Sequence, residues 1–366
     1  MDEYRKAAGG NEEVEIRLSA LLTQLQASAS FLLACDLPNE AVLLTEKTTV
    51  TLSNIEISEK LFFVLLEKTR VTVGGSFSIT GHNYSYDCIR EHGMARNSPF
   101  ELVRSWVVVS PLALENIGRM APNSIGCSLE SVNLRSTGLI NILPKLRIHG
   151  DCEIESLRLS ASEKEHVAEV LAQENPFCVG RVKKMWLREY AVGVITKMSL
   201  KDSEIESLVL YASEEAHVAA VLAQKKPFCV GGVKKMWLLG YAASVITKMS
   251  LKDCEIEYLR LDATRRKHVA EVLAQEKPFC VGRVKKMWLY EYAVGVITKM
   301  SIHEDNTMES FVLGGYKDYF SGILEEGDNS IDLGRIRTGG LRVPERIKRK
   351  LRYTLVDGEG KEVLEE

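Results

Sequence analysis

The stretch Arg181–Tyr190, RVKKMWLREY, recurs as Gly232–Tyr241, GVKKMWLLGY, and again as Arg283–Tyr292, RVKKMWLYEY, each copy 51 residues after the last. Side chains alternate faces along a strand, so Val182, Met185 and Leu187 form an inward set, while Lys184, Trp186 and Arg188 share the other face. The copying extends well beyond the strand. Asp151–Leu200 differs from Asp253–Ile302 at nine of fifty positions, and Asp202–Leu251 lies between them without a gap. Self-similarity at a fixed period marks a repeat architecture in which each unit buries its apolar face on its neighbours.

Within one unit, Ile154, Leu157 and Leu159 give the pattern I-x-x-L-x-L, and Val182, Met185 and Leu187 repeat it 28 residues later, 23 before the next copy begins. Between the two predicted strands, Ser162 and Glu165 read as a capping pair and Val167, Val170 and Leu171 as the apolar face of a helix, ended by Pro176 and Gly180. The shorter half carries a weaker segment, Tyr190 to Lys197, expected to make one helical or irregular turn. Ile195, Met198 and Leu200 also fit the strand template, so a unit holds either two strands or three.

This L-x-x-L-x-L, turn and helix arrangement resembles the leucine-rich repeat family, in its longer helix-bearing form. At the family's usual asparagine position stand Ser162 and Tyr190. The resemblance implies an α/β solenoid: a curved parallel sheet with helices on the convex side, built from 51-residue double repeats. Degenerate copies extend it upstream through Val103, Trp106 and Val108, then Leu129, Val132 and Leu134, then Leu143, Leu146 and Ile148, and downstream through Met308, Phe311 and Leu313. Thr48–Ile57, Ser58–Thr69 and Val71–Ile79 suggest a diverged strand–helix–strand unit.

The expected organisation is an N-terminal helical cap over 1–40, with its amphipathic stretch from Glu12 to Cys35, and degenerate repeats over 41–150 with a loop insertion at 81–99. The near-identical double repeats fill 151–313, and 314–366 supplies a last degenerate repeat, a basic amphipathic cap over Val343–Leu355 and a frayed acidic tail. A formal charge of −3 points to neither nucleic acid nor membrane. Acids near the N-terminus and no membrane-length apolar run lead to the expectation of a cytoplasmic protein.

Little in the sequence points to an enzyme or a cofactor. No phosphate-binding glycine loop, nucleophile elbow or H-E-x-x-H is present. Cys178, Cys229 and Cys280 are equivalent, as are Cys152 and Cys254, but Ser203 interrupts the second set, so they read as small buried thiols. His166, His217 and His268 recur at one helix position; one unit apart, at about 10 Å, they cannot share a metal that needs ligands at about 2 Å. They are expected at the surface or half-buried. The acids of DCEIE (Asp151, Glu153, Glu155) return in every copy, which fits a solvated loop better than a unique catalytic pair.

The open strand face is where the copies vary. Stacked in chain order, a central column reads Arg158, Trp186, Val209, Trp237, Arg260, Trp288, Val312. Beside it run Ser160, Arg188, Tyr211, Leu239, Asp262, Tyr290 and Ser156, Lys184, Ser207, Lys235, Tyr258, Lys286. Tryptophan, tyrosine and arginine are enriched at binding hot spots, and position 188 changes from Arg188 to Leu239 to Tyr290. The expectation is a non-enzymatic scaffold binding a protein partner through these residues. The resemblance extends to the leucine-rich repeat end of intracellular nucleotide-binding immune receptors, and so implies innate immune sensing or signalling. Two other expectations are anion or nucleic-acid binding through the Lys-Lys-x-Trp ladder, and substrate adaptation for a ubiquitin ligase.

Overall fold

The computed structural model of the chain describes residues 30–35, 43–82, 88–93, 98–105 and 109–363. The fold is mixed α/β, and its largest element is a ten-stranded parallel sheet. The chain divides into two compact units, one of residues 1–100, 109–128 and 145–147, the other of 101–108, 129–144 and 148–366.

In the second unit the alternating segments form the strands. Glu153–Ala161 and Arg181–Glu189 pair in parallel with Leu157 opposite Met185 and Arg158 opposite Trp186, and Glu255–Ala263 and Arg283–Glu291 repeat that register with Leu259 opposite Met287. Ser207–Ala212 and Lys235–Gly240 lie between them in the same order. The sheet continues to Leu129–Arg135 on one side and to Ser310–Gly314 and Leu341–Arg342 on the other. Leu157, Leu159, Met185, Leu187, Met236, Leu238, Met287 and Leu289 are all buried, which is what a two-residue period against a core produces.

The connections are shorter and tighter than the predicted helices. Each long half carries a single 3₁₀ turn followed by one α turn, Lys164–Val167 and Ala168–Leu171 in the first copy, with Val167 and Val170 buried and Leu171 half-exposed. The expected Ser162 cap does not form; Glu163 occupies the cap position without a side-chain hydrogen bond. Helices this short hold only through packing. Tyr190–Lys197 is an eight-residue 3₁₀ helix, and Ala191 to Ile195 are buried on every side. The question of a third strand has a mixed answer. Met198–Ser199 is a strand, but it pairs with Phe177–Cys178 in a separate two-stranded sheet, so each copy adds two strands to the main sheet. Lys197 and Lys248 each donate Nζ to a carbonyl, of Gln173 and Gln224, satisfying the ends of the preceding helical turns.

The first unit has a three-stranded sheet of Ser30–Leu33, Thr49–Leu52 and Arg70–Val73, and a five-stranded sheet containing Ile55–Ser58 and Phe77–Thr80. The helix Glu59–Lys68 is capped by Ser58 and packs Phe62, Phe63, Leu65 and Leu66 inward. Buried Asn116 joins the parts: its amide donates to the carbonyls of Leu66 and Thr69 and accepts from the Val71 N–H.

Several expectations change. Ser30–Leu33, placed in a helical cap, is a strand; the remainder of that cap, 1–29 and 36–40, lies outside the described residues. Ile89–Glu91, inside the expected loop, pairs antiparallel with Ile55–Ser58. At the edge of the main sheet, Leu102 is buried and Val103 is 45% exposed, so the register is offset by one from the expected apolar set, whose Trp106 and Val108 are outside the described residues. Leu143 sits in a 3₁₀ helix and Leu146 in a two-residue strand of the five-stranded sheet, so 143–148 adds no strand to the main one. Near the C-terminus, Ile331–Arg337 and Leu351–Val356 are paired strands flanking the four-residue helix Glu345–Lys348. The tail is bonded back as far as Val363, whose N–H donates to the Leu355 carbonyl.

Candidate functional site

The strand register brings together all three predicted columns. Trp186 lies opposite Arg158 and Val209, Trp237 opposite Val209 and Arg260, and Trp288 opposite Arg260 and Val312. Arg188, Tyr211, Leu239, Asp262 and Tyr290 follow one another across the second column, and Lys184, Tyr258 and Lys286 fall in the third, with Lys235 opposite Tyr258. The three tryptophans are half-buried: each ring lies on the sheet, with part of its surface open.

Adjacent strands sit about 4.8 Å apart, so the ring and guanidinium contacts run across the strands. The Arg158 guanidinium stands 4.5 Å from the Trp186 ring centre, and Arg188 5.0 Å from Tyr211. Such cation–π contacts contribute about 0.5–1 kcal/mol each when exposed. In the third copy the replacements Tyr258, Asp262 and Tyr290 build a denser cluster. Tyr258 meets Trp237 at 5.6 Å and the Trp288 edge at 5.0 Å, and Trp288 meets Tyr290 at 6.3 Å. Arg260 stacks on Tyr290 at 4.7 Å and is held by Asp262 at 2.8 Å. Trp288 Nε1 and Arg260 Nε are buried donors without a hydrogen-bond partner, and burial leads the causes that raise the Tyr258 hydroxyl pKa.

Two lysines of the third column, Lys184 and Lys286, carry counter-ions, as does neighbouring Lys183. Lys184 donates to Glu155 at 2.5 Å, Lys183 lies 3.5 Å from both Glu153 and Glu155, and Lys286 lies 3.5 Å from Glu309. The Lys184 hydrogen bond holds the Glu155 carboxyl below the usual range, and the Glu153 charge raises Lys183. In the first copy Glu153 and Glu155 thus serve as counter-ions to Lys183 and Lys184.

At the end of each second strand a residue takes φ near +55 to +64°: Glu189, Gly240 and Glu291. Glu189 reaches forward to the next long half. Its Oε2 accepts from the Ser213 N–H at 3.3 Å and hydroxyl at 2.9 Å, and lies 2.5 Å from His217 Nδ1, which also accepts the Glu214 N–H at 3.3 Å. His166 is half-buried, within the expectation of a surface or half-buried position, but His217 and His268, 6% and 5% exposed, are buried against Tyr190 and Tyr241. Where Gly240 replaces the glutamate, His268 Nδ1 has no hydrogen-bond partner. Burial, then the charges of Arg265 and Lys267, lower its pKa below the ordinary 6.5. Sequence reading missed this pairing, although the alternation Glu189, Gly240, Glu291 against His217, His268, Tyr319 contains the signal.

The cysteines are not the buried set expected. Cys229 is exposed and Cys152, Cys178, Cys254 and Cys280 half-exposed, all free. The Cys178 sulfur accepts from the Gly180 N–H at 3.4 Å, and the other two copies repeat this at Gly231 and Gly282. Gly180 has φ +69°, and a Cβ there would stand 2.5 Å from the Cys152 carbonyl oxygen, so the turn requires glycine.

Two cavities flank the face. The larger, about 720 Å³, lies at the strand starts among Glu204, Cys229, Lys234, Asp253, Glu255 and Arg283, away from the tryptophans. The smaller, about 370 Å³, lies at the strand ends beside Gly240. Among the described residues no His, Cys, Asp and Glu are grouped to hold a metal, and no helix is long and apolar enough to cross a membrane. No protein-family model, curated protein or solved structure matches the chain.

Proposed function

We propose that the chain is a leucine-rich-repeat-like solenoid serving as a non-enzymatic, cytoplasmic recognition scaffold, and that it binds a protein partner through the tryptophan-bearing sheet face. The observation that carries this reading is the cluster of Trp237, Tyr258, Trp288 and Tyr290 with Arg260, half-exposed and retaining unpaired donors on Trp288 and Arg260. Hot spots combine these residue types in partly desolvated settings, and the copy-to-copy change at 188, 239 and 290 varies chemistry over a constant core. A surface whose chemistry differs from copy to copy suits immune sensing.

The counter-ions on Lys183, Lys184 and Lys286 favour a protein over a phosphate backbone. The test is affinity capture with the wild-type chain against Trp237→Ala/Trp288→Ala, repeated across a salt series. The scaffold reading expects one or more proteins lost from the variant and retained by a control substitution at exposed Glu169. Capture that collapses with salt and is nuclease-sensitive would transfer the face to nucleic acid. Capture that is equal for both chains overturns the reading.

A further inference from the structure

From the second copy, where Glu189 supplies a carboxylate to Ser213 and His217, we infer that the cleft beside Gly240 is the same receptor with its internal ligand removed, and that it binds a carboxylate from outside the chain. The equivalences are positional: Thr264 stands for Ser213 and His268 for His217, while Gly240 takes the place of Glu189. The backbone at Gly240, φ +64° and ψ −136°, closely follows Glu189 at +56° and −133°, so the turn that presents the carboxylate is preserved without the side chain.

What remains is a receptor lacking its ligand. The cleft of about 370 Å³ is lined by Gly240, Thr264, Arg265 and His268 on its polar side and by Tyr211 and Leu239 on the other. His268 is 5% exposed, and the Nδ1 that in its counterpart meets Glu189 is buried with no partner, an arrangement that costs free energy when left empty. Charge has changed in the same direction: Arg265 replaces Glu214, and Lys267 replaces Ala216. Asp262 also lines the cleft, with its carboxylate engaged by Arg260 at 2.8 Å. The ligand is therefore a monocarboxylate on a small apolar or aromatic body, with the anion at Thr264 and His268 and the body against Tyr211 and Leu239. The site shares Tyr211, Leu239 and Asp262 with the proposed recognition face but stands on the Glu189 precedent.

The probe is benzoate, titrated against the full chain while the His268 ring signals are followed by NMR, with benzamide as the neutral isostere and His268→Gln to assign the signals. Saturable shifts with benzoate at about 10 mM or below, and none with benzamide, are expected. N-acetylphenylalanine and the doubly blocked dipeptide Phe-Glu then distinguish a chain terminus, an acidic side chain and a free acid by which binds most tightly. Gly240→Glu, native in both flanking copies, restores the internal carboxylate and abolishes binding once the Ala212 carbonyl, which the new Cβ would crowd, shifts away; Arg265→Glu weakens binding about tenfold. Equal response to benzoate and benzamide, no saturable shift with any of the three acids, or binding retained by folded Gly240→Glu overturns the inference. None of these outcomes involves the tryptophans, so the capture experiment is decided separately.

Discussion

Replacing Glu189 by alanine and by glycine separates two opposed contributions at one position. The carboxylate accepts from the Ser213 N–H and hydroxyl and lies 2.5 Å from His217 Nδ1. Ser213 is exposed and regains water when the carboxylate is lost; the buried contact with His217, 6% exposed, is not replaced, although the Glu214 N–H still reaches Nδ1, and a contact to a charged group contributes about 1.5–3 kcal/mol. Against this, Glu189 holds φ +56° and ψ −133°, a region suited to glycine that costs other residues about 1–3 kcal/mol. Alanine loses the contacts and keeps the strain, so Glu189→Ala is destabilised by about 2 kcal/mol, a fall in Tm of about 4–8 °C for a domain of this size. Glycine loses the same contacts but relieves the strain, so Glu189→Gly stays within about 1 kcal/mol of the wild type. Thermal melts followed by circular dichroism give both values. Equal losses for alanine and glycine would remove strain from the explanation, and two unchanged melting points would remove the carboxylate from it.

Other expectations follow from the same geometry. Leu187→Ala empties a fully buried inward position and costs about 2–5 kcal/mol, whereas exposed Arg188→Ala loses only its cation–π contact with Tyr211, about 0.5–1 kcal/mol; urea midpoints that reverse this order would invert the strand faces. Trp288→Ala folds and loses about 1–3 kcal/mol from its contacts with Tyr258 and Tyr290, and global unfolding would place the ring in the core. His268 is held neutral by burial and by Arg265 and Lys267, so the unfolded chain binds the proton more readily, and stability falls as pH drops below about 6.5 toward the folded-state value. Gly240→Glu reduces that loss, which urea denaturation between pH 7 and pH 5 measures; an unchanged pH slope would detach His268 from the Gly240 position.

The strand register was legible because a strict two-residue alternation allows only one placement: a slip by one residue would turn Met185 and Leu187 to water. The open-face columns follow from that register alone. The helical segments were less legible. Within Tyr190–Lys197 the run Ala191–Ile195 is apolar without a break and shows no face, so its period conveys nothing about a 3₁₀ helix whose middle is buried. Ser30–Leu33 read as part of an amphipathic helix and became a strand because Thr49–Leu52 offers it a partner, a long-range pairing that outweighs local propensity. The Glu189–His217 contact joins residues 28 apart through a backbone conformation that composition does not reveal, though the exchange of Glu189 for Gly240 marks the position.

Photo-cross-linking tests the central claim most directly. A benzoylphenylalanine placed at Leu239, on the second column of the open face, is compared with one at exposed Glu169 on the helical side, each in cell extract. A partner joined to position 239 and absent from 169 is the result the recognition face predicts. Adducts at 169 with none at 239 would contradict it, and would move the binding surface off the sheet.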